Sequence, residues 1–291
     1  MGIAMTVTAT ELGPVEYCEA GRGEPVLYFH GTGVCGDAML PIESRLVDDG
    51  FRLLIPNRPG YGATPLEPNV SALGCSSVVA AWLDSLGIDR ISVMGSSGGA
   101  AFALGFGFHQ PQRTKSLVLL CPQLHRWDAA QWLPASSRWT LPFLRHRPLR
   151  KLLLAGYRLQ LARMGPEALL RMEAGARYDD MARDPAAVEI AMTSLPAMRS
   201  GTRCAGFEND MRIFVEEDIL QDDGKLTVPT LVIHDEADPM APVAHVEWFQ
   251  SLVPHCERVR VCAGGHLIWV GQDADVVHKT RMEFLRRHEE C

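Results

Sequence analysis

Ile91-Ser92-Val93-Met94-Gly95-Ser96-Ser97-Gly98-Gly99-Ala100-Ala101-Phe102 is the stretch on which the fold turns. A short aliphatic run, Ile91–Met94, reads as a strand. It runs into Gly-x-Ser-x-Gly centred on Ser97, and the small residues of Gly99–His109 continue as a helix. A sharp strand-to-helix turn of this kind lifts one hydroxyl clear of a sheet edge, and glycines at 95 and 99 let neighbouring backbone close in. The helix that follows offers unpaired N–H groups and the positive end of its dipole to a developing oxyanion. The plainer reading is a glycine-serine turn with Ser96 or Ser97 as a helix N-cap. The pentapeptide alone leaves both open.

Working outward, other runs repeat the pattern. Met5–Glu11 and Val15–Ala20, split by Gly13-Pro14, read as an antiparallel hairpin. Val26–Phe29, Leu53–Ile55, Leu117–Leu120, Leu231–Ile233 and Val259–Val261 are continuous apolar runs, the signature of strands covered on both faces. Amphipathic stretches at Asp37–Asp49, Ser71–Leu86, Pro242–Leu252 and Ala274–His288 lie between them. Such alternation predicts an α/β fold, a mostly parallel sheet with helices on both faces. It stops after Leu120-Cys121-Pro122 and resumes at Val228-Pro229. The intervening segment, 122–227, has three tryptophans, many Leu and Arg, and no convincing strand. We read it as a helical cap inserted between two strands of one core made of 1–121 and 228–291, because the later strands need neighbours.

Two more polar groups sit just past strands. His234-Asp235-Glu236-Ala237-Asp238-Pro239 follows Thr230–Ile233, and Gly264-Gly265-His266 follows Val259–Val261. The carboxyl edge of a parallel sheet is where ligands bind. A serine hydroxyl needs a base to take its proton, and a histidine held by a carboxylate supplies one. The chain order Ser97, Asp238, His266 is that of one of the serine triads.

On these motifs the chain resembles the alpha/beta-hydrolase family, in its serine-nucleophile branch with a helical cap. Tyr28-Phe29-His30-Gly31-Thr32-Gly33 is similar to the family's oxyanion loop, and Asn57-Arg58-Pro59-Gly60-Tyr61-Gly62-Ala63-Thr64 to its G-x-G-x-S/T loop. The resemblance implies a mainly eight-stranded sheet, with Ser97 as nucleophile, His266 as base and Asp238 as its orienting acid. The backbone N–H groups of Thr32 and Gly98 would be the oxyanion donors. Gly98 departs from the larger residue common there, which implies a more mobile turn. Asp235 is the rival acid; the Asp-Pro-x-x-Pro continuation favours Asp238. Relatives that attack through Asp are excluded by Ser97.

The chain has 291 residues, 47% hydrophobic and 22% charged, ordinary globular values that exclude disorder and coiled coil. Its net charge of −7 argues against a nucleic-acid partner. No apolar run is long enough to span a bilayer, so no stable membrane insertion is expected. The start, Met1-Gly2-Ile3-Ala4-Met5-Thr6, lacks the charged region of a secretory signal; its match to a myristoylation pattern stands without a basic patch. Eight scattered cysteines without C-x-x-C point to reduced, mostly buried thiols in a cytoplasmic protein. A monomer or homodimer is expected, with no metal and no organic cofactor. Asp235–Asp238 spells a helicase tetrapeptide, but no phosphate-cradling loop accompanies it, Gly224-Lys225 being followed by Leu226.

His30, at the mouth of the oxyanion loop, reads first as a hydrogen-bonded structural group, with a catalytic base, a metal ligand or a substrate contact as the alternatives. His109, His125, His146, His245, His255, His278 and His288 read as surface or helix-end residues. The cap is electrically split: 122–177 carries ten Lys/Arg against three Asp/Glu, and 178–227 five against eleven. A solvated face is the first reading of the basic half, an anionic-substrate site the second and an acidic membrane surface the third. Gly33, Trp127, Trp132, Trp139, Phe143 and Trp269 are candidates for an apolar substrate pocket over Ser97. The functional expectation is a serine hydrolase acting on an ester, thioester or lactone of an apolar or amphipathic small molecule. Carbon–carbon cleavage, decarboxylation or cyclisation on the same triad is the alternative. A non-catalytic ligand sensor is the third reading.

Overall fold

The computed structural model describes residues 3–68, 70–200, 204–219 and 226–289. Gly2, Gly224, Lys225 and Cys291 lie outside the described residues. Eight strands form one sheet: β1 (Thr6–Thr8), β2 (Val15–Ala20), β3 (Pro25–Phe29), β4 (Arg52–Pro56), β5 (Ile91–Ser96), β6 (Thr114–Leu120), β7 (Thr230–Asp235) and β8 (Glu257–Val261). Their order is β1-β2-β4-β3-β5-β6-β7-β8. β1 and β2 form the expected hairpin, β2 joins β4 antiparallel, and every later pairing is parallel.

The apolar runs are explained by where alternate residues go. Leu27, Phe29, Val93, Leu117, Leu119 and Val232 enter one buried cluster, while Val26, Tyr28, Met94, Val118, Leu120, Leu231 and Ile233 enter the other. Both faces of the sheet are therefore dry, and a fully buried side chain of this size contributes about 1.5–3 kcal/mol. Helices α1 (Gly36–Ile42), α2 (Ser44–Asp48), α3 (Ala72–Ser85) and α4 (Gly98–His109) come before β6. Where the sequence suggests one helix over Asp37–Asp49, the chain breaks at Glu43. Pro41 lacks the N–H that would continue the ladder, and the Glu43 carboxylate turns inward to the buried guanidinium of Arg281.

Between β6 and β7 lie α5 (Leu141–Leu144), α6 (Arg147–Arg163), α7 (Pro166–Ala174), α8 (Tyr178–Met181), α9 (Pro185–Arg199) and α10 (Cys204–Glu216). No strand occurs among the described residues of 122–227. The two electrical halves of this segment meet in ion pairs, Arg150–Glu216 at 2.8 Å, Arg126–Asp218 at 3.5 Å and Lys151–Glu208 at 3.8 Å. α11 (Ala244–Leu252) and α12 (Ala274–Arg287) complete the chain.

Two of the histidines expected at the surface or at helix ends are buried, His245 in the first turn of α11 (Ala244–Leu252) and His278 within α12 (Ala274–Arg287). His245 accepts the backbone N–H groups of Leu124 and His125 on Nδ1 and donates from Nε2 to the Trp132 carbonyl at 2.9 Å. Burial pushes its pKa down to about 4, so it stays neutral and stitches the start of the helical segment to α11. His278 is packed against Asp49 and Arg281. In both cases apolar helix neighbours carry the histidine inward, which a histidine's own identity does not announce.

Candidate active site

β3, β5, β6, β7 and β8 end at one edge of the sheet, and the loops leaving that edge carry Thr32, Ser97, Cys121, Asp238 and His266. Ser97 sits at φ 53°, ψ −127°, a conformation that costs a side-chain-bearing residue about 1–3 kcal/mol. Its N–H donates to the Leu120 carbonyl at 2.9 Å, and its own carbonyl accepts from Gln123 and Ala100 at 3.1 Å each. Those backbone bonds hold the strained turn. The N-cap reading fails here, because the hydroxyl makes no cap bond and lies instead 2.9 Å from His266 Nε2.

The glycines of the motif are places where atoms already stand. A Cβ on Gly99 would lie 2.2 Å from the Phe29 carbonyl oxygen, and one on Gly95 would lie 2.7 Å from that of Gly99. On Gly98 it would meet Thr32 Oγ1 at 2.1 Å and the Phe214 ring at 2.9 Å. A larger residue at 98 would collide, because Thr32 and Phe214 fill the space its side chain would take.

His266 Nδ1 is 2.8 Å from Asp238 Oδ2. With Nδ1–H donating to the carboxylate, Nε2 is left free to accept from Ser97. The other oxygen of Asp238 accepts the N–H groups of Met240 and Ala241 at 2.7 and 3.0 Å. Asp235 has a different occupation. It accepts backbone N–H groups from Ala237, Ala263 and Gly265, which shapes the loop carrying His266, and Arg177 approaches it at 3.5 Å. Burial on its own would lower the His266 pKa. The Asp238 carboxylate outweighs it and holds the imidazole well above its ordinary value.

The Thr32 loop is clamped from three directions. Asp210, buried on α10, accepts from the Thr32 hydroxyl at 2.9 Å, from both terminal nitrogens of Arg58 at 2.6 and 2.8 Å, and from the Tyr61 hydroxyl at 2.6 Å. Tyr61 Oη also accepts the Gly33 N–H at 3.2 Å. Arg58 lies over the Phe102 ring, 4.1 Å from its centre. Burial opposes its charge, and the Asp210 carboxylate more than restores it. A buried pair of this kind stands because the Asp210 carboxylate is fully engaged and both terminal nitrogens of Arg58 are used, Nε alone being left without a partner among the described residues.

Around these groups the wall is apolar. Gly33 borders a cavity of about 20 Å³ together with Tyr157, Leu161, Met198 and Phe207, while a wider open hollow between Ala9–Glu11 and Ala81–Ser85 holds none of these groups. Phe214 leads outward to Trp127, their ring centres 5.2 Å apart. The sequence reading missed Glu173. Its carbonyl accepts the His266 N–H at 3.0 Å, and its carboxyl lies within electrostatic range of His266, Asp238 and Tyr157. Desolvation pushes that carboxyl up to about 7, against the pull of His266 and with a push from Asp238. Asp210 and Phe214 were missed for the same reason: each lies far along the chain from the motif it touches.

Several pocket candidates fall elsewhere. His30 is fully buried with both nitrogens on backbone, donating from Nδ1 to the Gly31 carbonyl and accepting the Arg58 N–H on Nε2. It ties two loops together. Trp132 stacks on His125 at 3.8 Å and packs towards Trp248 of α11. Trp269 donates its ring N–H to Glu43 at 2.7 Å, toward the other face of the sheet. Trp139 is 66% exposed, with its ring on the less exposed Phe143. The sequence could not separate these, because residue type reports affinity for apolar surroundings and not which apolar surroundings.

Among the described residues, one group of three potential metal ligands clusters, Cys121, Asp238 and His266, within 4.8 Å. That set suits an ion poorly. His266 already engages Asp238 and Ser97 through its two nitrogens, and burial raises the Cys121 pKa, keeping it a thiol.

The family model described as alpha/beta hydrolase fold matches residues 24–271, and the chain belongs to that family. The uncharacterized hydrolase YcgS of Bacillus subtilis is 24% identical over 289 residues, 94% of this chain and 95% of the relative. A 2-hydroxy-6-oxo-6-phenylhexa-2,4-dienoate hydrolase of Comamonas testosteroni is 30% identical over 113 residues, 37% of this chain and 40% of that protein. Among solved structures, an alpha/beta hydrolase fold protein from Nakamurella multipartita superposes with a TM-score of 0.75 at 27% identity, covering 97% of this chain and 99% of its own.

Proposed function

We propose that the protein is a serine hydrolase that cleaves an ester, thioester or lactone of an apolar or amphipathic small molecule through an acyl-enzyme. The observation that carries this reading is the unbroken chain from Ser97 Oγ to His266 Nε2 (2.9 Å) and from His266 Nδ1 to Asp238 (2.8 Å). In this reading His266 takes the hydroxyl proton as Ser97 attacks the carbonyl carbon. Asp238 fixes the tautomer and stabilises the imidazolium. The N–H groups of Thr32 and Gly98 receive the oxyanion, and His266 returns the proton to the leaving group. Water then repeats the sequence on the acyl-enzyme. A raised His266 pKa suits the acid half of the cycle, since the imidazolium must persist until the leaving group departs.

Residues 122–227 act in this reading as a lid over a core of 1–121 and 228–291. Met198, Phe207 and Phe214 offer an apolar wall to the acyl chain. The cavity of about 20 Å³ beside Gly33 has room for little more than one water. A fluorophosphonate probe tests the assignment: wild type is labelled and Ser97→Ala is not. Equal labelling of both overturns it.

The similarity to the Comamonas testosteroni enzyme favours one second reading, hydrolysis of a carbon–carbon bond at the same triad. It predicts that His266→Ala abolishes turnover while Ser97→Ala leaves a substantial part of it.

A further inference from the structure

The outer surface of α5 and α6 is built the wrong way round for a solvated helix. Leu149, Leu152, Gly156 and Leu159 follow one another at three- and four-residue steps, so they form one stripe. That stripe faces outward, with Leu152 71% and Leu159 54% exposed, while the inward side carries Leu154, Leu161 and the charged Arg150 bound to Glu216. Trp139 and Phe143, both exposed and in ring contact, belong to the segment that leads into α6. Single exposed apolar residues need no explanation; a stripe nearly three turns long beside an aromatic pair marks a contact surface.

The charge of the same segment identifies the partner. From Ala129 to Pro166 there are seven Lys/Arg and not one Asp/Glu, in a protein whose net charge is −7. Lys151 has a distant partner in Glu208, but Arg138, Arg147 and Arg163 pair with no carboxylate among the described residues. Leu, Trp and Phe on one side with unpaired Arg beside them is the composition of a helix that lies in a membrane interface.

We propose that the α5–α6 face docks reversibly on an anionic lipid bilayer, with Trp139, Phe143, Leu152 and Leu159 entering the headgroup boundary and Arg138, Arg147 and Arg163 meeting lipid phosphates. A second copy of the chain fits less well, because two such faces would bring their own cations together. The contact is peripheral, since no helix among the described residues is long and apolar enough to cross a membrane. It does not depend on the chemistry assigned to Ser97.

The test is flotation of the full chain with vesicles of phosphatidylcholine alone or with roughly one-third phosphatidylglycerol, at low and high salt. The protein is expected to float with the anionic vesicles at low salt, to stay behind with the neutral ones, and to be released by high salt. Arg138→Glu and Arg147→Glu should each weaken partitioning by about fivefold or more. The double variant Leu152→Glu, Leu159→Glu should abolish it with melting temperature and soluble-ester turnover unchanged, because both side chains face outward. Absence of binding to anionic vesicles at low salt, or undiminished binding of the double variant, overturns the proposal. So does a wild-type dimer, seen by sedimentation, that the double variant dissociates, because a second copy would then occupy the face.

Discussion

The loops at the sheet edge and the helices between β6 and β7 hold their residues by opposite means. At the edge, each candidate side chain is placed by backbone: Ser97 by the Leu120 and Gln123 bonds, His266 by a loop that Asp235 gathers through three N–H groups. Residues there are interchangeable only at the cost of the chemistry or the loop. In the helical segment, position comes from side chains packing on side chains, and two tryptophans seven apart end in opposite surroundings, Trp132 buried and Trp139 exposed. A short motif therefore determines geometry where backbone does the holding. Where packing does the holding, composition leaves the face undecided.

Breaking the edge has the largest expected effect. Ser97→Ala should lower kcat by roughly 10⁴–10⁶, and Asp238→Asn by roughly 10⁴, both with a folded protein. Asp235→Ala should behave differently, lowering the melting temperature as well as activity, because three backbone N–H groups, two of them buried, lose their acceptor. Equal behaviour of the two aspartates in melting and kinetics would erase the distinction.

The two regions meet at Asp210. Asp210→Ala removes the carboxylate from a fully buried Arg58 and should destabilise by about 3–5 kcal/mol, read in urea unfolding. The Thr32 loop loses its anchor at the same time, so kcat should fall more than KM rises in whatever protein remains folded.

A finer effect belongs to Glu173. His266 must be neutral to accept a proton, and its raised pKa places the rising limb of kcat/KM above about 6.5. A neighbouring carboxylate favours the imidazolium, so Glu173→Gln should move that limb to lower pH by up to about one unit. Stability should respond with the opposite reach. The folded Glu173 pKa of about 7 lies above the ordinary 4.5, so wild type loses stability as pH rises through that window. Melting curves of wild type and Glu173→Gln should agree at pH 4 and separate above pH 7 in favour of the variant.

The smallest effect sharpens the contrast within the helical segment. Trp132→Ala should cost about 3–5 kcal/mol, whereas Trp139→Ser should stay within about 0.5 kcal/mol and leave KM for a soluble ester unchanged. A large loss from Trp139→Ser would place that ring in a packed site after all.

Most of the sheet was legible because buried parallel strands need continuous apolar runs and their crossovers need amphipathic helices. The break at Glu43 was not, since a glutamate inside an amphipathic pattern reads as solvent-facing until its partner Arg281, far along the chain, is known. At the site, Ser97, Asp238 and His266 were legible from their places after strands. Glu173, Asp210 and Phe214 were not, because nothing near them in the chain marks what they face. His30 lies in the right loop, yet its nitrogens are used by backbone.

By itself, then, the sequence determined the alternation of strands and helices and that Ser97, Asp238 and His266 each follow a strand, since local periodicity and turn residues act over a few bonds. Only the tertiary structure decided that Asp235 gathers the His266 loop through backbone N–H groups, that Gly98 is small because Thr32 and Phe214 stand beside it, and that α6 turns Leu152 and Leu159 outward. Each of those outcomes depends on which distant surfaces meet, and packing is a property of pairs.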